Sequence, residues 1–324
     1  MQGFTKIDLA ILVIYLAAVL FAGLHFAKKE MKGKEYFKSD GTVPWWVTSV
    51  SIFATLLSPI SFLSLAGNSY SGTWIMWFAQ LGMLLAIPLT IKFFLPIYSK
   101  LDIDTAYHYL ELRFQSRGLR ILGAVMFIIY QVGRMSIIMY LPCMVLGSLT
   151  GISVNLLIII MGLIAIIYSY TGGLKSVLWT DFIQGSVLLI GVTCGLVFLI
   201  AHIDGGIGAI FHEFTAGNKF LAADQPIFNA NILKDSVFLL IVGAGFNTMG
   251  SYVSSQDIVQ RFTTTTDTKK LNKMMLANGG LSIFIATVFY LIGTGLYVFY
   301  QVQGNPLPPA AQQEQQPQLV PMKF

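Results

Sequence analysis

The chain has 324 residues, 55% hydrophobic and only 11% charged, with a mean hydropathy of +0.71 and a formal net charge of +5. Soluble domains carry about 25% charged residues, so this composition excludes an ordinary soluble protein and describes an integral membrane one. The basic residues sit in short clusters between apolar runs, a topology signal rather than a nucleic-acid footprint, and Cys143 and Cys194 lie inside apolar runs with no disulfide or zinc spacing.

Apolar runs of about 20 residues predict eight helical spans. The first covers about 5–27, too long for the apolar core of a cleavable signal. The second, 45–70, carries Ser58-Pro59 at its middle. Pro59 has no N–H, so the carbonyl of Thr55 loses its helical donor. In lipid a freed backbone group needs protein, ion or water. Broken spans near the midplane are where many secondary transporters bind ion and solute, and Ser58, Ser61 and Ser64 flank this break. A proline kink patched by its own serines is the alternative.

The third span, about 74–98, carries Gln80, able to donate and accept toward a hydroxylated or carboxylated solute or to bond a neighbouring helix. A polar stretch with Asp102, Asp104, Glu111 and Arg113 follows. The fourth span, about 119–148, contains Arg134, roughly 24 Å along the helix. A charge this deep faces a cavity or a partner. Its fork suits a carboxylate: an anionic solute, or an internal acid such as Asp181.

The fifth and sixth spans, about 153–170 and 176–202, are joined by Gly172-Gly173, which permit a tight turn. Asp181 opens the sixth span, either as a helix N-terminal acid or as a cation-linked carboxylate at the inner mouth. A mixed loop with Gly205-Gly206 and Pro226 leads to the seventh span, about 236–257. Gly243, Gly245, Asn247, Thr248 and Gly250 there predict a second break or a close helix contact. Interruptions five spans apart are the spacing of an inverted repeat. The eighth span is about 275–302, and 306–324 is a polar tail whose composition does not pack.

Fourteen of the 20 Lys and Arg fall on one set of connections, which is therefore cytoplasmic; Lys6, Lys219, Lys234 and Lys323 fall on the other. Every connection alternates under the eight-span count, with both termini outside the cytoplasm. The histidines His25, His108, His202 and His212 show no metal spacing, and no phosphate loop or nucleophile motif stands in a credible context. These residues predict a carrier, not an enzyme.

Gly172-Gly173 through Trp179-Thr180-Asp181 to Gln184, and Ser255-Gln256-Asp257-Ile258-Val259-Gln260-Arg261, resemble two signatures of the sodium:solute symporter family. Within it, Ala54 to Phe62 and Gly133-Arg134 to Leu141 are similar to bacterial sialic acid symporters. The resemblance implies an all-α, leucine-transporter-like inverted-repeat fold. It places one transmembrane domain over 1–305, with a first repeat over about 45–202 and the start of a second over 236–302, cut short before three core spans. It implies sodium-coupled import of a small carboxylated solute, sialic acid above all, in a bacterial inner membrane, with sodium, the anionic solute and lipid as partners and no nucleic acid. Carried over residue by residue, Ser58, Ser61, Gln80, Arg134 and Asn247 bind the solute. The carbonyls of Ala54 and Leu57 face sodium, and Asp181 stands near a further sodium site, where Leu56 replaces the hydroxyl that this site uses. A symporter for a neutral sugar, an amino acid or another monocarboxylate, and a non-transporting remnant or solute sensor, are the competing readings.

Overall fold

Lipid offers no water to a backbone amide, so an apolar run must satisfy its own N–H and C=O groups, and a single chain segment does this only as a helix. The computed structural model describes residues 5–26, 36–37, 39, 41–100, 105–222, 226–228, 236–265 and 267–306. Among these, six helices are long and apolar enough to cross a membrane. Two of the eight predicted spans are absent from that six because the second is broken into short helices and the fifth and sixth run together.

The first span is α1 (Lys6–Phe26). The second is α2 (Trp45–Leu56) and α3 (Pro59–Ser71), separated by Leu57 and Ser58 in extended conformation. The third starts as a 3-10 helix, Ile75–Gly82, and continues through α4 (Met83–Leu89), a π-helical turn at Thr90–Phe94 and α5 (Leu95–Lys100). Pro88 lies inside α4, and the missing N–H precedes the π turn by two residues, a common way to absorb a lost helical bond. A short inner helix, α6 (His108–Phe114), leads to the fourth span, α7 (Arg117–Thr150).

The fifth and sixth spans form α8 (Val154–Ala201), divided at Gly173 with φ 57° and ψ −159°. That left-handed φ suits glycine, and a Cβ there would stand 2.7 Å from the Tyr36 carbonyl. The Tyr36 hydroxyl donates to the carbonyl of Tyr170 at 2.8 Å, pinning the turn from outside. The segment between the sixth and seventh spans, expected as a loop, folds in part into α9 (Gly206–Thr215). The seventh span is α10 (Val237–Ser254), the short α11 (Gln256–Phe262) follows, and the eighth is α12 (Thr268–Tyr297) with a π turn over Val298–Val302. Asp102, Asp104, several of the predicted inner lysines and the 307–324 tail lie outside the described residues.

The core lies on α12. Its inner half packs Leu271, Met274 and Met275 against Ile52, Ile87 and Tyr252. Its middle packs Ile285 and Phe289 against Phe53 of α2 and Val192 and Leu196 of α8. The broken second span is therefore held at the centre of the bundle, while α7 is peripheral, its most apolar window unburied. The outer end of α3 is closed by Lys219. This buried side chain donates to the carbonyls of Tyr70 and Gly72 at 2.9 and 3.1 Å and lies 3.6 Å from the Tyr297 ring centroid. The ammonium meets the helix end where cations are favoured.

The predicted interruption within 243–250 is not observed: α10 runs unbroken to Ser254, and the chain bends at Ser255 (φ −78°, ψ 119°). Gly245 instead serves packing, while Gly243 and Gly250 face open space. A Cβ on Gly82 would stand 2.5 Å from the Gly245 nitrogen, and one on Gly245 would stand 3.0 Å from the Gly82 carbonyl oxygen. The third and seventh spans thus touch backbone to backbone, the close-contact alternative for this motif.

Candidate functional site

The break in the second span sets the site. The α2 ladder closes with Leu57 N–H bonding the Phe53 carbonyl at 3.0 Å. Ser58 caps α3: its Oγ accepts from Ser61 N–H at 3.2 Å and lies 3.1 Å from Ser61 Oγ. Proline at the first helical position suits this start. The Thr55 carbonyl has no helical donor, because position 59 lacks an N–H. The Leu57 carbonyl loses its own, because Ser61 N–H turns to Ser58 instead.

Arg134 meets this break from α7. Its Nη2 donates to the Thr55 carbonyl at 3.1 Å, and its Nη1 pairs with Asp257 Oδ2 at 2.9 Å. Asp257 opens α11 just past the bend at Ser255, where the helix N-terminus favours a carboxylate. Its other oxygen, Oδ1, is buried with no partner among the described residues. Both charges line a cavity of about 250 Å³ together with Tyr130, Asn247, Thr248 and Ser255.

Asp181 is held in a second charge cluster. Its Oδ2 accepts from Ser51 Oγ at 2.6 Å and from Arg261 Nη2 at 2.7 Å. Arg261 Nε donates to Ser51 Oγ at 2.7 Å, and its Nη1 donates to the Asp257 carbonyl. So Asp181, weighed as an internal partner of Arg134, pairs with Arg261, and Arg134 takes Asp257. One polar chain runs from α8 through α11 to α7, touching α2 at Ser51 and Thr55.

The predicted residues fall into neighbouring spaces. Arg134 and Asn247 share the cavity of about 250 Å³. Ser61 and Gln80 share one of about 130 Å³ with Phe53 and Ser282. Leu56 and Met83 line both and form the wall between them. Ser58 also borders an apolar groove between α3 and α7, beside Pro142 and Leu146. Asp257, Arg261, Ser51 and Ser282 are participants not expected from the sequence. Asp257 and Arg261 carried a signal, being two opposite charges in one short run directly after an apolar span; Ser51 and Ser282 carried none.

The sequence model of the Sodium:solute symporter family matches residues 36–322. The sodium/sialic acid symporter SiaT of Proteus mirabilis is 34% identical over 308 residues, 95% of this chain and 62% of that protein. The sodium/sialic acid symporter NanT of Aliivibrio fischeri is 30% identical over 307 residues, 95% of this chain and 60% of that protein. The sodium/glucose cotransporter of Vibrio parahaemolyticus is 28% identical, covering 92% of this chain and 56% of that protein. A solved structure of a Na+-coupled sialic acid symporter, in a substrate-bound outward-open state, aligns with a TM-score of 0.87 at 35% identity, over 95% of this chain and 64% of that one. The two share one all-helical, leucine-transporter-like fold. The chain spans about three fifths of the length of these sialic acid symporters.

Proposed function

The chain belongs to the sodium:solute symporter family, as a multi-pass membrane protein, and from that membership we propose that it serves sodium-coupled import of a small carboxylated solute, sialic acid first, by alternating access. The observation that carries this reading is Arg134: a guanidinium at a broken span, on the wall of a polar cavity, beside carbonyls that the break sets free. Unwound carbonyls suit sodium, and a half-buried fork suits a carboxylate. In this reading sodium binds at the Ala54 and Leu57 carbonyls, with Asp181 near a further ion. The solute carboxylate takes Arg134 beside Asn247, and Ser58, Ser61 and Gln80 hold its hydroxyl and amide groups once the wall of Leu56 and Met83 between the two cavities opens. Residues 45–202 form one repeat and 236–302 begin the next, in a bacterial inner membrane. Sodium and solute each stabilise the backbone geometry the other needs, so each raises the other's affinity.

A second reading has its own support. A carrier of a neutral sugar or amino acid would leave Arg134 paired internally, and Arg134 is paired with Asp257. The test is sodium-dependent uptake of radiolabelled sialic acid into proteoliposomes, set against proline and glucose, with the unmodified chain and Arg134→Ala. Sialic acid uptake that needs both sodium and Arg134 supports the carboxylate reading. Uptake of a neutral solute that survives Arg134→Ala overturns it in favour of the second.

A further inference from the structure

The Arg134 fork is half occupied by the protein itself. One arm, Nη1, holds Asp257 Oδ2 at 2.9 Å, and the other, Nη2, holds the Thr55 carbonyl at 3.1 Å. A carboxylate bound bidentately needs two N–H groups of the fork side by side; two of the five N–H groups are engaged, and a solute that takes the Nη1 position must displace Asp257 Oδ2 from it. Asp257 is itself a carboxylate, of the chemical class the site is proposed to take, and it reaches the guanidinium from the far wall of the same cavity. Its Oδ1 has no partner among the described residues, so the aspartate is held through one oxygen only. Hydroxyls of Thr248 and Ser255 line the cavity beside it and could receive the carboxylate once it leaves Arg134.

The geometry points to Asp257 as an internal competitor for Arg134: an incoming solute carboxylate binds by taking the place of the Asp257 carboxylate. This deepens the carboxylate reading above and rests on it. The exchange keeps the guanidinium paired in the membrane, where an unpaired charge is costly, and leaves the displaced Asp257 carboxylate to the hydroxyl side chains of Thr248 and Ser255. It also sorts solutes. A neutral molecule offers the guanidinium nothing to replace the lost ion pair, so Asp257 stays in place against it. The solute's affinity is lowered by the fraction of time Asp257 holds the fork, and removing the competitor restores it.

The experiment measures binding of N-acetylneuraminate and of its neutral methyl ester to the full chain in nanodiscs at fixed sodium, by calorimetry, for the unmodified protein, Asp257→Asn and Arg134→Ala. Asparagine keeps the size and loses the charge. Asp257→Asn is expected to tighten the acid about tenfold and to leave the ester unchanged. Acid binding within twofold of the unmodified chain, or weaker, overturns the competitor role. Arg134→Ala separates the two claims: if it abolishes acid binding while Asp257→Asn fails to tighten it, only the competitor role falls. If it leaves acid binding intact, or if no chain binds the acid, the carboxylate reading falls and takes this one with it. Should Asp257→Asn not fold, infrared difference spectra of the unmodified chain labelled with 13C-aspartate decide. Adding the acid must shift an aspartate carboxylate band, and an unshifted spectrum overturns the exchange.

Discussion

Arg134 Nη2 bonds the carbonyl of Thr55 at 3.1 Å, and that carbonyl is the one Pro59 deprives of its helical donor. A backbone defect on one span is thus satisfied by a half-buried charge on another. The deep arginine and the proline, read separately from the sequence, form one device.

Pro59→Ala supplies the missing N–H and lets the Thr55 carbonyl rejoin a helical ladder. A hydrogen bond to a charged group contributes about 1.5–3 kcal/mol, so losing it at Arg134 is expected to lower sodium-dependent uptake at least about tenfold. The melting temperature should hold or rise. Normal uptake in this variant would reduce the break to a packing kink.

Arg134→Ala leaves the Asp257 carboxylate uncompensated, and Asp257→Ala leaves the guanidinium with only a carbonyl. Each single change is expected to lower thermal stability, and the double change to lower it by less than the sum. Direct partners couple by about 0.5–3 kcal/mol. A double-mutant cycle from denaturation in detergent checks this, and additive effects would mean the pair is not formed.

Gly82→Ala should destabilise far more than Gly250→Ala. The first Cβ would meet the Gly245 backbone nitrogen at 2.5 Å, which cannot swing aside, whereas the second finds nothing within 4 Å. Overpacking costs about 1–3 kcal/mol, while alanine in an open helical position gains up to about 1 kcal/mol over glycine. Melting temperatures of the two variants should move in opposite directions.

Lys219→Met tests the outer cap of α3. Burial holds the Lys219 ammonium below the usual lysine range, against a smaller opposing pull from Glu213. A lysine with a lowered folded value binds its proton less well folded than unfolded. Its contribution to stability therefore rises with pH through the window from that lowered value up to the ordinary one. Lys219→Met should melt lower at pH 7, because three carbonyls lose their donor, and should lose the part of the alkaline stability slope that Lys219 supplies. Melting curves of both chains between pH 7 and 10 measure it; parallel slopes would refute the role.

The spans were legible because apolar length is a local property, and so was the break at Ser58-Pro59, where a missing N–H is written in one residue. Gly173 was legible for the same reason. What the sequence could not specify was pairing between distant residues. Asp181 and Asp257 are both acids near inner helix ends, and only packing decides that Arg261 takes the first and Arg134 the second. The glycines of the seventh span fit a break and a close contact equally well. The choice was made by Gly82 on another helix, which a single span cannot reveal.

Two arginines and two aspartates in contact sum to zero. The polar chain from Asp181 to Arg134 is therefore formally balanced as it stands, with only Arg261 of the four side chains fully buried. A lone anion arriving there would leave one negative charge in excess, and a lone cation one positive. A cation and an anion arriving together leave the balance untouched. Under the proposed function, co-loading of ion and solute then needs no direct touch between them, because the balanced site favours the two together over either one alone.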